Sequence, residues 1–198
     1  MEDVNAILRV TEASDLFGHS AGGFFALEAA LRLPVLRLAL YEPAVSIHGS
    51  LPLDWFPAYE KALAHKDPAL AMVHLVKGLH LNWMSQLPDW LLLPFARLML
   101  RGDDGQEVAD LLPSGVWEIK LFQRCDESGL NFERYRAIKA RTLLLGGTKS
   151  PVYLKHALRE LTAILPQARL IELDGLDHNA PDQNAPQKVA LELKAFFS

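Results

Sequence analysis

The sequence predicts an α/β protein with a parallel sheet of about four strands flanked by helices, and a helical segment inserted between two strands. Short apolar runs alternate with helical patterns near both ends of the chain. One Gly-x-Ser-x-Gly stretch joins such a run directly to a helix. Residues 48–136 show helical periodicity and no alternating β-branched run. The 198 residues fit one domain, or one domain with a sizeable insertion.

The Gly-x-Ser-x-Gly stretch is Gly18-His19-Ser20-Ala21-Gly22. A tight strand-to-helix turn here would strain the Ser20 backbone and hold its hydroxyl in the open. Both flanking positions, 18 and 22, are glycine, and the explanation we expect is that side chains at either would collide across the turn. The N–H of Ala21, at the helix N-terminus, would face a developing oxyanion.

The flanking elements follow from periodicity and from helix and strand breakers. The strand after the first long helix is apolar on both faces, which is typical of a parallel strand covered on both sides. Near-continuous leucine marks another such strand late in the chain. The predicted elements of this part are helices over residues 2–12, 20–33, 152–165 and 185–197, and strands over 14–19, 35–41, 141–147 and 168–173.

The inserted segment, residues 48–136, is broken into short helices by prolines. We expect most of its aromatic residues and methionines to hold the segment together, and a minority to line an apolar pocket over Ser20. Residues 1–47 and 137–198 then form the core. The predicted helices of the insertion are residues 53–65, 68–78, 91–100, 107–112, 116–125 and 132–137.

Composition excludes several classes of function. The net charge is −4 and no basic cluster stands out, which argues against a nucleic-acid partner. The single cysteine, Cys125, allows no internal disulfide and fits a cytoplasmic protein. The acidic start does not resemble a signal peptide, and no apolar run is long enough to span a membrane. No histidine pair has metal-site spacing, so we expect neither a metal nor an organic cofactor.

These motifs resemble the α/β-hydrolase-fold superfamily, in its serine esterase/lipase-like group with a helical cap. Besides the serine turn, the resemblance rests on three segments and covers essentially the whole chain. It implies a nucleophilic serine followed, in chain order, by an acid and a histidine. The three segments are Leu40-Tyr41-Glu42-Pro43, Thr142-Leu143-Leu144-Leu145-Gly146-Gly147 and Gly175-Leu176-Asp177-His178.

The candidate base is His178, the only histidine after the last predicted strand. The alternative is a solvated loop histidine. The resemblance implies an acid after the strand that ends at Gly147, but Thr148-Lys149-Ser150 contains no carboxylate. Glu42 is the best substitute, because the carboxyl ends of parallel strands face the same crevice. The alternatives are a structural role for Glu42 and a triad that lacks its acid.

The resemblance also implies about four strands before the serine turn, where this sequence has one helix. No glycine-rich segment precedes Ser20 to supply a second oxyanion donor. The 14–19 strand would then be an exposed apolar edge, which tends to pair with other chains. We therefore expect either a shortened gene product or a sheet that another chain completes, for instance in a homo-oligomer.

The sequence thus predicts a serine hydrolase that cleaves carboxylic esters of small apolar substrates through an acyl-enzyme. Ser20 is the candidate nucleophile, His178 the base, Glu42 the acid and the Ala21 amide the oxyanion donor. Serine at the turn argues against dehalogenase or epoxide-hydrolase chemistry, for which this fold uses aspartate. The alternative is a catalytically impaired remnant or a partner-dependent subunit.

Overall fold

The computed structural model describes residues 2–81, 83–127 and 132–198, without the side chains of residues 83, 126 and 127. Residues 128–131 of the predicted insertion lie outside the described residues. Contacts divide the chain into two compact units. The sheet unit comprises Met1–Leu51 and Gly129–Ser198, and the helical unit comprises Pro52–Ser128.

The sheet unit contains four parallel strands whose order in the sheet, β1-β2-β3-β4, follows the chain. This confirms the predicted fold class, and the last two strands have the predicted bounds. Helices alternate with the strands, as parallel connections require. The elements are α1 (Glu2–Thr11), β1 (Asp15–His19), α2 (Ser20–Ala30), β2 (Arg37–Tyr41), β3 (Arg141–Gly147), α7 (Val152–Ile164), β4 (Ala168–Leu173) and α8 (Pro186–Phe197), with a 3₁₀ helix at Phe132–Ala137 and a π-helix at Ala180–Asn184.

The two central strands, β2 and β3, are buried on both faces, and their side chains alternate between two layers. On one face, Ala39 and Leu143 belong to a cluster that includes Val189 and Phe196 of α8. On the other face, α7 lies so close that a Cβ at Gly146 would be 2.4 Å from Leu158 Cδ1. This double coverage explains the near-continuous leucine of β3.

Strands β1 and β4 form the two edges of the described sheet. At the amino end of β1, Asp15 lies opposite Arg37 and accepts two hydrogen bonds from its guanidinium, of 3.0 and 2.6 Å. At the edge itself, 39% of the Phe17 side chain is exposed. The apolar edge predicted for this strand is therefore present in the described residues.

The helical unit contains α3 (Phe56–Ala64), α4 (Pro68–Leu79), α5 (Asp89–Met99) and α6 (Gly102–Glu127), with a 3₁₀ helix at Trp83–Gln86. Helix α4 contributes to two buried clusters, and both are apolar. One is formed with α3 and α6 around Phe56 and Tyr59. The other is formed with α5 around Val73 and Leu92. The unit therefore has an apolar core of its own.

The prediction of two helices on either side of Pro113 was wrong, because α6 runs through this proline. Pro113 has no N–H to donate and ordinarily breaks a helix. Here two neighbouring carbonyls have side-chain partners. The Ser114 hydroxyl donates to Leu111 O (2.6 Å) and the Tyr59 hydroxyl donates to Leu112 O (2.5 Å). Both bonds hold carbonyls next to the proline, but neither replaces the N–H that Pro113 lacks.

Across the part of the chain that the structure describes, none of the helices is both long and apolar enough to cross a bilayer.

Candidate active site

The backbone turns sharply where β1 meets α2. Ser20 has a φ of +53°, in the left-handed region that L residues avoid. A Cβ at Gly18 would lie 2.5 Å from Gly22 O, so only glycine fits at position 18. The expectation for Gly22 was wrong, since a Cβ there meets nothing within 4 Å. The second required glycine is Gly23, where a Cβ would lie 2.8 Å from Pro43.

The turn is also joined to the end of β2. Ala44 N–H donates to Ser20 O at 2.8 Å, and Pro43 packs against the backbone of Gly23. Between these contacts stands Glu42, which has a φ of +44°. Such strained conformations persist only where the surroundings hold them. Two consecutive strands therefore each end in a left-handed residue, and the two ends pack together.

Glu42 is completely buried at the carboxyl end of β2. Its Oε1 accepts a 2.7 Å hydrogen bond from the backbone N–H of Gly147, at the end of β3. Its Oε2 lies 2.8 Å from Nδ1 of His178. Both carboxylate oxygens thus have a partner, as a buried charge requires.

His178 is buried as well, with 4% of its surface exposed. With Nδ1 donating to the Glu42 carboxylate, the second ring nitrogen, Nε2, is left as the basic one. This is the tautomer that a general base needs. The structure therefore brings His178 and Glu42, two residues far apart in sequence, into direct contact.

Ser20 is partly exposed. Within the described residues its hydroxyl forms no hydrogen bond, to His178 or to any other group. The link between the two residues is His19, which directly precedes Ser20 and has its ring centroid 4.7 Å from that of His178. Hydrogen bonds to a catalytic serine often tighten only when a substrate binds. Ala21 lies in the first turn of α2, where backbone N–H groups have no partner within the helix.

The loop that carries His178 has partners that the sequence analysis missed. His19 Nε2 lies 2.9 Å from His178 O, and the Tyr41 hydroxyl donates to Asp177 O at 2.8 Å. Burial, reinforced by the neighbouring His178, lowers the pKa of His19 below its ordinary 6.5. Burial, with Glu42 and Asp177 adding to it, raises the pKa of the Tyr41 hydroxyl far above its ordinary value. Both groups are therefore neutral near pH 7.

The segment after β3 differs from the acid-bearing segment that the resemblance implied. Thr148 and Lys149 are exposed, and the Thr148 hydroxyl bonds to Asp174 and to Gly175 N–H. The carboxylate of Asp177 also serves the loop itself, since it accepts from Asn179 N–H at 2.9 Å. Neither aspartate is hydrogen-bonded to the His178 ring. Among the described carboxylates, Glu42 is the one that binds this ring.

The described residues contain no group of three or more His, Cys, Asp or Glu side chains arranged to hold a metal ion.

The fold and the site together define a class of protein: a parallel α/β sheet with a strained serine turn and a buried carboxylate–histidine pair at its carboxyl edge. A model of the alpha/beta hydrolase family matches residues 2–193. The chain therefore belongs to the alpha/beta hydrolase family, which confirms the superfamily that the sequence resembles. No curated protein matches the chain at a significant level.

Solved structures give the same fold. An alpha/beta hydrolase from Sphaerobacter thermophilus is 27% identical with a TM-score of 0.69, over 100% of this chain and 72% of that protein. The enol-lactonase from Burkholderia xenovorans is 20% identical with a TM-score of 0.60, over 99% of this chain and 71% of that protein. A hydrolase from Pseudomonas aeruginosa is 18% identical with a TM-score of 0.60, over 100% of this chain and 70% of that protein. At 20% and 18% identity the likeness concerns the fold alone.

Proposed function

We propose that this protein is a serine hydrolase that cleaves carboxylic esters of small apolar substrates. The observation that carries the proposal is the buried 2.8 Å contact between Glu42 Oε2 and His178 Nδ1. It leaves Nε2 of the imidazole available as a base, on the same sheet edge as the strained Ser20. Membership of the alpha/beta hydrolase family supports the reaction class.

In the first half of the reaction, the Ser20 hydroxyl oxygen attacks the ester carbonyl carbon and its proton passes to Nε2 of His178. The Ala21 N–H donates to the oxygen that becomes negative. When the tetrahedral intermediate collapses, the carbon–alkoxide bond breaks and the leaving alkoxide takes the proton from Nε2. The products of this half are an alcohol and an acyl group on Ser20.

In the second half, a water molecule attacks the acyl carbon while Nε2 of His178 takes its proton. Collapse breaks the bond to Ser20, which recovers its proton from the imidazolium, and a carboxylic acid leaves. Glu42 stabilises the imidazolium in both halves and holds the ring in the tautomer that leaves Nε2 free. The preference for small apolar groups is part of this proposal and rests on the sequence alone.

The test is hydrolysis of short-chain nitrophenyl esters and of a simple lactone, together with labelling by a fluorophosphonate probe. The lactone is included because one structural relative is an enol-lactonase. We expect Ser20→Ala to abolish both hydrolysis and labelling. Ser114→Ala is the matched control, because the Ser114 hydroxyl bonds only within α6. Hydrolysis that survives in Ser20→Ala would remove Ser20 from the mechanism.

The second candidate, a catalytically impaired remnant or partner-dependent subunit, is favoured by one observation. The Ser20 hydroxyl is not hydrogen-bonded to His178 in the described residues. Labelling of Ser20 in the isolated, monodisperse protein would contradict this candidate. A wild-type protein that neither labels nor hydrolyses any ester of the panel would support it.

A further inference from the structure

Three consecutive carbonyls of the loop before and at His178 are each bound from a different strand end. Leu176 O accepts from Lys149 N–H, just after β3, at 2.9 Å. Asp177 O accepts from the Tyr41 hydroxyl, at the end of β2, at 2.8 Å. His178 O lies 2.9 Å from His19 Nε2, at the end of β1. The loop thus crosses the carboxyl edge of the sheet one strand per residue.

Two of these three bonds come from side chains, those of His19 and Tyr41, and the two residues occupy equivalent places in their strands. His19 and Tyr41 are register partners at the last positions of β1 and β2. Their rings meet edge to face, with centroids 5.7 Å apart. Each directly precedes a left-handed residue that we place in the chemistry, Ser20 or Glu42. A shift of either strand end would therefore move a reacting group and its loop contact together.

The protonation states fit this arrangement. A backbone carbonyl only accepts, so Nε2 of His19 must carry a hydrogen to bond to it. Burial and the adjacent His178 lower the pKa of His19, which favours a neutral ring. The titratable side chains that act on this ring are His178, Asp182 and Glu42.

We propose that His19 and Tyr41 are positioning residues, which bind consecutive carbonyls of the loop and so hold the His178 imidazole against Glu42. This inference deepens the proposed function and rests on it for its effect on rate. The hydrogen bonds fix the backbone on both sides of the His178 Cα. The ring then has little freedom except rotation about its own side-chain bonds, and Glu42 fixes that rotation.

Tyr41→Phe tests the proposal most directly, because it removes one hydroxyl from a fully buried ring and keeps the ring's shape. We expect kcat for a nitrophenyl ester to fall about 10- to 100-fold with KM unchanged, since small misplacements of reacting groups have effects of this size. Tyr59→Phe is the matched control. It also removes a buried hydroxyl that donates to a carbonyl, that of Leu112, and it should leave kcat unchanged.

His19 is tested by a pair of variants. His19→Leu removes the donor and should lower kcat about as much as Tyr41→Phe. His19→Gln offers an amide N–H in its place and should recover most of the loss. Rescue by the conservative variant separates hydrogen bonding from simple filling of space. If His19→Leu and His19→Gln have the same kcat, His19 has no positioning role.

A readout without substrate keeps the inference distinct from the proposed function. The Nδ1 proton of His178, bonded to Glu42, gives its own low-field resonance in proton NMR. We expect this resonance to move or broaden in Tyr41→Phe and His19→Leu, and to be unaffected in Tyr59→Phe. If Ser20→Ala proves the proposed function wrong, the resonance still decides the positioning role. An unchanged resonance in both variants would overturn it. Should Tyr41→Phe fail to fold, the His19 pair decides alone.

Discussion

The carboxyl ends of β2 and β3 lie side by side but supply opposite hydrogen-bonding groups: the end of β2 supplies an acceptor and the end of β3 a donor. The chain leaves β2 through Glu42, a fully buried carboxylate with left-handed backbone. It leaves β3 through Gly147, Thr148 and Lys149, of which the last two are exposed. The end of β3 supplies no carboxylate to the histidine, but it supplies the backbone N–H that bonds to Glu42. The comparison teaches that a buried carboxylate at one strand end can take its hydrogen-bond donor from the end of the neighbouring strand.

Glu42→Gln gives the largest expected effect at the end of β2. The amide retains an oxygen for Gly147 N–H but cannot stabilise a protonated His178. We expect kcat for a nitrophenyl ester to fall by up to about 10⁴-fold, the loss seen when a triad acid becomes an amide. The counterpart at the end of β3 is Lys149→Gln. Its exposed side chain predicts a change of less than about 2-fold. Comparable losses in the two variants would break the comparison.

Gly147→Ala probes the end of β3 itself. A Cβ at this position would lie 2.1 Å from Leu176 O, so the loop that carries His178 must move. We expect the free energy of unfolding to fall by about 1–3 kcal/mol, as overpacking usually does, and kcat to fall with it. Urea unfolding and ester kinetics measure both.

The matched control for Gly147→Ala is Gly22→Ala. Position 22 lies in α2 with open space around its Cβ. Alanine there should raise the free energy of unfolding by about 0.5–1 kcal/mol, because glycine is unfavourable inside helices. If Gly147→Ala were as stable as this control, the close approach of Leu176 would not constrain position 147.

The smallest effect concerns pH and the end of β1. The pKa of His19 is lowered in the folded state from its ordinary 6.5. Below that pH the unfolded chain binds a proton that the folded protein resists, so the free energy of unfolding falls as the pH drops. One proton limits the slope to about 1.4 kcal/mol per pH unit, and partial exposure of the ring reduces it.

His19→Gln should remove this contribution. Urea unfolding of wild type and variant at about pH 5.5 and about pH 8 tests this. Between about pH 8 and about pH 5.5, the free energy of unfolding should fall more in the wild type than in His19→Gln. Equal pH dependence in the two proteins would show that His19 does not resist protonation. His178, Asp182 and Glu42, which also face His19, are present in both proteins.

Local sequence patterns were sufficient for the strands and for the serine turn. β3 and β4 have the predicted bounds, because apolar runs between breakers are set by nearby residues. Glu42 could be proposed because parallel strands end at one edge. The bonds from Gly147, Tyr41 and His19 could not, since their partners lie 105, 136 and 159 residues away in the sequence.

Two other features also escaped the local patterns, for related reasons. Helix α6 continues through Pro113, and Tyr59, a residue of another helix, bonds to the carbonyl just before it. The second glycine that the serine turn requires is set by Pro43, which follows β2, rather than by the turn's own atoms. In both cases a distant partner overrides what neighbouring residues indicate.

The crossing of the sheet edge by residues 176–178 constrains the length of this segment more than its composition. Consecutive Cα atoms are about 3.8 Å apart and neighbouring strands about 4.8 Å apart, so the chain advances by nearly one strand with each residue. Deletion of Asp177 would therefore leave the imidazole roughly one strand short of Glu42. Among relatives of this chain, we expect the number of residues from Leu176 to the histidine to stay fixed, and glycine to be kept at 175, where φ is +74°.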